Sequence, residues 1–271
     1  YLFYKATLLL RNNNSGFLYG ALGIVHYFVE RLPDLRIENY LLSILPLLFN
    51  TLTTQFSTAA QEFASIELNM ASGIPGILLV LIKAHQKGMH DNEIKKTVRE
   101  QILKIISYRA DLDFSQKRYS IFPEAVDKKS GDRLFGNALA WSSGDLNQSL
   151  LFYQANAMFG DLDLKRMGDL VGLNTLLRRD EATTHITGSD FFSGSSGLAQ
   201  VYHHMAEVTQ RKAYREGSVF WINKTVEFLA RELPAGTYDG REMDVLHGLA
   251  GVALTLLTYR HGVKWSHCVL L

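Results

Sequence analysis

The side chains in this sequence that could ligate a metal, move a proton or attack a carbon are few and widely spaced. Cysteine occurs once, as Cys268 beside His267, so neither an internal disulfide nor a cluster of thiolates can form. His203 and His204 are consecutive. On a helix such neighbours point about 100° apart, whereas ligand pairs favour spacings of three or four, so these imidazoles are not set to grip one ion. His247 sits inside a glycine step and reads as a helix-entry residue. Ser142, Ser143 and Ser193 also lie at glycine steps; with no Gly-x-Ser-x-Gly elbow in the chain, they read as helix caps rather than nucleophiles. Asp145 is placed to accept amides in the first turn of its own helix. It is also the clearest acid at a glycine step, and glycoside cleavage would need two carboxylates about 5 to 10 Å apart across a cleft, so that chemistry is poorly supported. Trp141 is a candidate for lining a cavity, against the commoner role of a buried aromatic in the core.

These residues cluster around a repeated element. A Gly-x-x-Gly step followed by an apolar run of helical period occurs four times, at Gly20 to Gly23, Gly73 to Gly76, Gly194 to Gly197 and Gly248 to Gly251. A fifth copy, Gly144-Asp-Leu-Asn147, has asparagine in place of the second glycine. The steps recur about every fifty residues, with one longer interval, a spacing that suits two helices and two connections per unit. The longer interval holds the polar stretch from Ser120 to Asp132, which reads as a surface loop. Amphipathic segments from Glu93 to Tyr108 and from Phe220 to Leu233 alternate with the glycine steps and are expected as outer helices. The runs after the glycines are apolar on more of their circumference and should form an inner layer. Period-two alternation is not sustained anywhere, so no sheet is expected. The sequence therefore predicts an all-α, two-layer ring, an α/α toroid. Its glycine-lined helix ends would crowd a central cleft, where free amides favour an anion, a carbonyl or a thiolate.

Composition narrows the function further. The chain has 271 residues, 47% of them hydrophobic, enough for a substantial core in one domain spanning 1–271. Lys and Arg number 28 against 27 Asp and Glu, a balance unlike that of nucleic-acid-binding surfaces. The longest apolar runs, such as Ile77 to Ile82, are far shorter than the roughly 20 residues of a membrane-spanning helix. Asn223-Lys-Thr225 forms a glycosylation triplet, but in a segment that looks helical.

Read in order, Leu68-Asn-Met-Ala-Ser-Gly-Ile-Pro-Gly76, Leu139-Ala-Trp-Ser-Ser-Gly-Asp-Leu146, Asp190-Phe-Phe-Ser-Gly-Ser-Ser-Gly197 and Leu246-His-Gly-Leu-Ala-Gly251 resemble the successive repeats of the lanthionine synthetase C-like (LanC-like) family. The ending Trp265-Ser-His-Cys-Val-Leu-Leu271 is similar to that family as well, and the likeness runs from about Gly16 onward. The resemblance implies an α/α toroid shortened at its N-terminus, working in the cytoplasm on a dehydrated precursor peptide. It also implies a dehydratase or transporter of the same pathway as a further partner. In active members zinc, held by a Trp-Cys-x-Gly cysteine and a Cys-His pair, activates a thiol that adds to a dehydroamino acid, and a histidine moves protons. Here Ser142 stands at the first ligand position, Phe192 and Ser193 at the Cys-His pair, Ser72 at the proton-handling histidine, and Gly16 where many members carry aspartate. Hydroxyl and phenyl groups are poor partners for zinc. The expectation is thus a toroid with vestigial positions at Ser72, Ser142, Phe192 and Ser193, no metal or other cofactor, and cleft candidates Trp141, Ser143, Asp145 and His247. It would serve as a peptide-binding or accessory component, the alternative being a cyclase that closes thioether rings without zinc.

Overall fold

Apolar residues fall at helical spacing through most of the chain, and helices form there. A computed structural model describes residues 1–57 and 63–271. Its helices are α1 (Leu2–Arg11), α2 (Leu22–Glu30), α3 (Leu35–Phe56), α4 (Ile74–Gln86), α5 (Asn92–Ser107), α6 (Asp145–Phe159), α7 (Leu162–Thr175), α8 (Glu181–Thr184), α9 (Ser195–Thr209), α10 (Lys212–Glu232) and α11 (Leu249–His261). The inner succession is α2, α4, α6, α9 and α11, each packed on the next; α3, α5, α7 and α10 back the first four from outside. Both segments expected as outer helices lie in this outer layer, in α5 and α10. Thr225 of the glycosylation triplet is buried, with its hydroxyl donating to Trp221 O at 2.8 Å.

The two layers start their helices differently. Asp34, Asp91 and Asp161 cap α3, α5 and α7, accepting from Arg36 N at 2.9 Å, Glu93 N at 2.7 Å and Asp163 N at 3.0 Å. This is the usual side-chain remedy for orphan amides at a helix start. The inner helices α4, α6, α9 and α11 begin at Gly73, Gly144, Gly194 and Gly248, with no side-chain cap. There the preceding loop folds back over the first turn, so closely that a methyl group at Gly197 would overlap Phe191 O and one at Gly251 would overlap Val245 O.

Backbone hydrogen bonds then join one inner loop to the next. Phe17 N donates to Ala71 O at 2.8 Å, Ala71 N to Ser142 O at 3.2 Å, Ser142 N to Phe192 O at 3.2 Å and Phe192 N to Leu246 O at 2.9 Å. The glycine steps thus gather around a common axis, with the inner helix starts at one mouth of the ring. From the other side the axis is filled by residues 263–271, where Trp265, Val269, Leu270 and Leu271 are buried. His26 Nε2 lies 2.6 Å from His267 O, and since a carbonyl only accepts, that nitrogen carries the hydrogen.

Burial is most complete in the middle of the inner succession. In α4 every residue from Ile74 to Ile82 is buried. In α11, expected to be equally enclosed, Leu257 and Tyr259 are 43% and 50% exposed.

The expectation of no sheet is corrected. Strands β1 (Ser65–Glu67), β2 (Ala125–Asp127) and β3 (Arg133–Leu134) pair antiparallel in that order, with Ile66 opposite Val126 and Ala125 opposite Leu134. Strands of two or three residues are too short to display alternation. The stretch from Ser120 to Asp132 is therefore not simply a surface loop: it carries β2, and Ile121 and Phe122 are buried. The turn that follows is closed by Asp127, whose side chain accepts from Lys129 N at 2.9 Å and Ser130 N at 2.8 Å.

Candidate functional site

At the mouth where the inner helices begin lies a cleft of about 410 Å³. The loop before α2 gives it Gly16, Leu18 and Tyr19; the loop before α4 gives Ala71 and Ser72; the loop before α9 gives Phe192. Gln55 from the last turn of α3, Phe63 and Glu67 complete one side. Most of these surfaces are apolar. Glu67 is engaged locally, accepting from Ser65 Oγ at 2.5 Å and Asn69 Nδ2 at 3.1 Å.

The structure brings several of the sequence-derived positions together. Ser142 and Phe192 are joined by one of the inter-loop hydrogen bonds, and the Phe192 ring packs 5.9 Å from Trp141 and 4.7 Å from His247, centroid to centroid. Ser142 is buried, with its amide and carbonyl spent on the neighbouring loops. Ser143 is half-buried, and its carbonyl accepts from Ala140 N at 3.0 Å. Ser193 is exposed, but its own amide and hydroxyl turn to Asp190 Oδ1, at 2.8 and 3.3 Å. Ser72 lines the cleft while donating its hydroxyl to Asn69 Oδ1 at 3.0 Å. Ser142, Ser143 and Ser193 do not cap a helix through their side chains, since α6 and α9 start at Gly144 and Gly194 instead. His247 keeps its place at the last glycine step, its amide donating to Asp244 Oδ1 at 3.1 Å.

None of the four cleft candidates Trp141, Ser143, Asp145 and His247 lines the cleft itself, and two of them are fully buried. Trp141 is fully buried among aromatic rings, with Phe17 at 5.8 Å and Phe191 at 5.6 Å, and donates Nε1–H to Val269 O at 2.8 Å. It supports the cleft floor from below. Asp145 is 1% exposed and does accept two backbone amides, but from Ile121 N at 2.7 Å and Phe122 N at 3.1 Å, not from its own helix. The carboxylate at the head of α6 pins the segment before β2, which explains why that segment turns inward. Burial pushes the Asp145 carboxyl up to about 6, against the pull of the two amides and the Arg178 guanidinium.

His203 and His204 are far from this chemistry, on a cavity of about 400 Å³ at the opposite mouth, lined also by Gln200 and Trp265. As expected they diverge. His203 Nε2 sits 3.8 Å from Glu207 Oε1, while His204 Nε2 is 3.5 Å from Gln154 Nε2. Burial holds the His204 imidazole down to about 4. His26 on α2 is likewise depressed to about 4, by burial and then by the Lys83 ammonium.

The positions that would carry a metal in the resembled family offer two neutral hydroxyls and a phenyl ring, a donor set that does not fit zinc. Among the described residues no group of three or more His, Cys, Asp or Glu side chains is placed to hold a metal ion. Sequence reasoning missed Gln55, yet a signal existed. Leu41, Leu45, Leu48 and Leu52 form a buried stripe along α3, and Gln55 continues it with an amide.

Comparison with known proteins agrees with this architecture. Nisin cyclase has a similar solved structure, with a TM-score of 0.76 over 96% of this chain and 68% of that one, at 17% identity. No curated protein matches the chain at a significant level. No described helix is long and apolar enough to cross a membrane. The model of lanthionine synthetase C-like proteins matches residues 5–270. With nearly the whole chain matched, and the glycine-stepped loops meeting around one axis, the protein belongs to the lanthionine synthetase C-like family.

Proposed function

We propose that residues 1–271 act as one toroid domain that binds a precursor peptide without zinc, as an accessory component of ribosomal peptide modification in the cytoplasm. The observation that carries this reading is Phe192. At a position where the family places a metal ligand, a phenyl ring lies in the cleft wall against His247, while the backbone bonds that shape the cleft remain. An apolar surface in a cleft of this size suits an extended peptide side chain better than it suits thiolate activation. A dehydratase or transporter handling the same peptide is the further partner this role calls for.

The test is to titrate the protein with a dehydrated, cysteine-containing precursor peptide, following both binding and the loss of free thiol. Saturable binding with thiol loss no faster than in buffer is the expected result. Thiol consumption above buffer would replace this reading with zinc-independent ring closure, and absence of binding would sink both. Metal analysis gives an independent check: protein purified without chelator retains no stoichiometric zinc, whereas a Ser142→Cys, Phe192→Cys, Ser193→His variant gains it.

A further inference from the structure

The cleft wall holds a buried amide to which the described residues give no partner. Gln55 is 2% exposed, and among the described residues none bonds its buried Oε1 or its amide nitrogen. A buried amide left unpaired destabilises the fold, and such groups are rare in folded proteins. A leucine would continue the apolar stripe of Leu41, Leu45, Leu48 and Leu52 without that cost, so the amide is not there for packing. Three other polar side chains of the cleft are engaged with one another or with the backbone: Asn14 Nδ2 donates to Tyr19 O at 3.1 Å, Glu67 accepts from Ser65 and Asn69, and the Ser72 hydroxyl donates to Asn69.

A primary amide offers one donor and one acceptor side by side, the complement of a peptide group. It carries no charge, so it discriminates neither acidic nor basic side chains. Gln55 and the Phe192 ring line the same cleft. We propose that Gln55 reads the main chain of a bound extended peptide, pairing with one backbone amide while an apolar side chain of that peptide packs on Phe192. The substrate class is then an extended segment that offers a free backbone amide to Gln55 and an apolar side chain to Phe192. The inference rests on the peptide-binding reading above and adds the residue that recognises the backbone.

The experiment compares wild type and Gln55→Leu by fluorescence anisotropy, using the labelled dehydrated precursor peptide and versions of it N-methylated at one residue in turn. Gln55→Leu is expected to melt higher than wild type, because an unpaired buried amide has been removed, yet to bind the parent peptide roughly tenfold more weakly. One N-methylated peptide should lose about as much affinity for wild type and little more for the variant, the signature of a shared contact. Equal affinity of Gln55→Leu and wild type for the parent peptide would overturn the role of Gln55 while leaving peptide binding intact. Failure of wild type to bind any of the peptides would remove both.

Discussion

Outer helices α3, α5 and α7 and inner helices α4, α6, α9 and α11 solve the same problem, the unpaired amides of a helix start, in opposite ways. Outer helices α3, α5 and α7 solve it with an aspartate of their own, a local device that any isolated helix can use. Inner helices α4, α6, α9 and α11 start at glycine and rely on loops folded tightly over the first turn and hydrogen-bonded to the next repeat. The difference teaches that the inner architecture resides in backbone contacts and not in the side chains facing the cleft. Those side chains are therefore free to change. The hydrogen bonds from Phe17 to Ala71, Ala71 to Ser142, Ser142 to Phe192 and Phe192 to Leu246 involve only N–H and C=O groups, so they do not depend on which side chains stand at Ser142 and Phe192.

The comparison breaks most severely at the close approaches. Gly197→Ala places a methyl group on Phe191 O, and we expect a loss of about 4 kcal/mol or failure to fold, read from the urea midpoint. Charge burial in the inner layer comes next. Because the folded-state value of His26 is depressed to about 4, its contribution is present above the unfolded value of 6.5 and is lost as pH falls toward 4. Asp145 runs the other way: raised to about 6, it contributes fully below 3.8 and loses that contribution as pH rises through 6. Relative to wild type, Asp145→Asn should steepen the loss of stability on acidification and His26→Gln should lessen it, each by up to about 3 kcal/mol, in denaturant titrations at a series of pH values. In the outer layer, Asp161→Ala removes a cap and should cost about 1 kcal/mol by the same measurement. Ser193→Ala, at a vestigial position with an exposed hydroxyl, should shift stability by less than about 0.5 kcal/mol. A Ser193→Ala cost as large as that of Asp161→Ala would contradict the separation of scaffold from site.

What could be read in advance divides along the same line. The glycine steps and amphipathic stripes gave the ring, since periodicity and glycine placement are written in side chains. That Ser142, Phe192 and Ser193 carry hydroxyl and phenyl groups is likewise read directly from the side chains. Asp145 was misread because a carboxylate after glycine looks like a local cap, and only the tertiary path of Ile121 and Phe122 reveals another use. The small sheet was missed because two- and three-residue strands are fixed by their partners rather than by pattern. Gln55 hid at the end of an apolar stripe, where one polar residue is easily taken for the edge of the buried face.

The contact between His26 and the carbonyl of His267 joins residues 241 positions apart. At ribosomal rates of about 5–20 residues per second, the imidazole emerges at least ~12 to 50 s before its acceptor exists. The nascent arc must therefore wait, its axis open to chaperones and other chains, until a late stretch of polypeptide arrives to fill it.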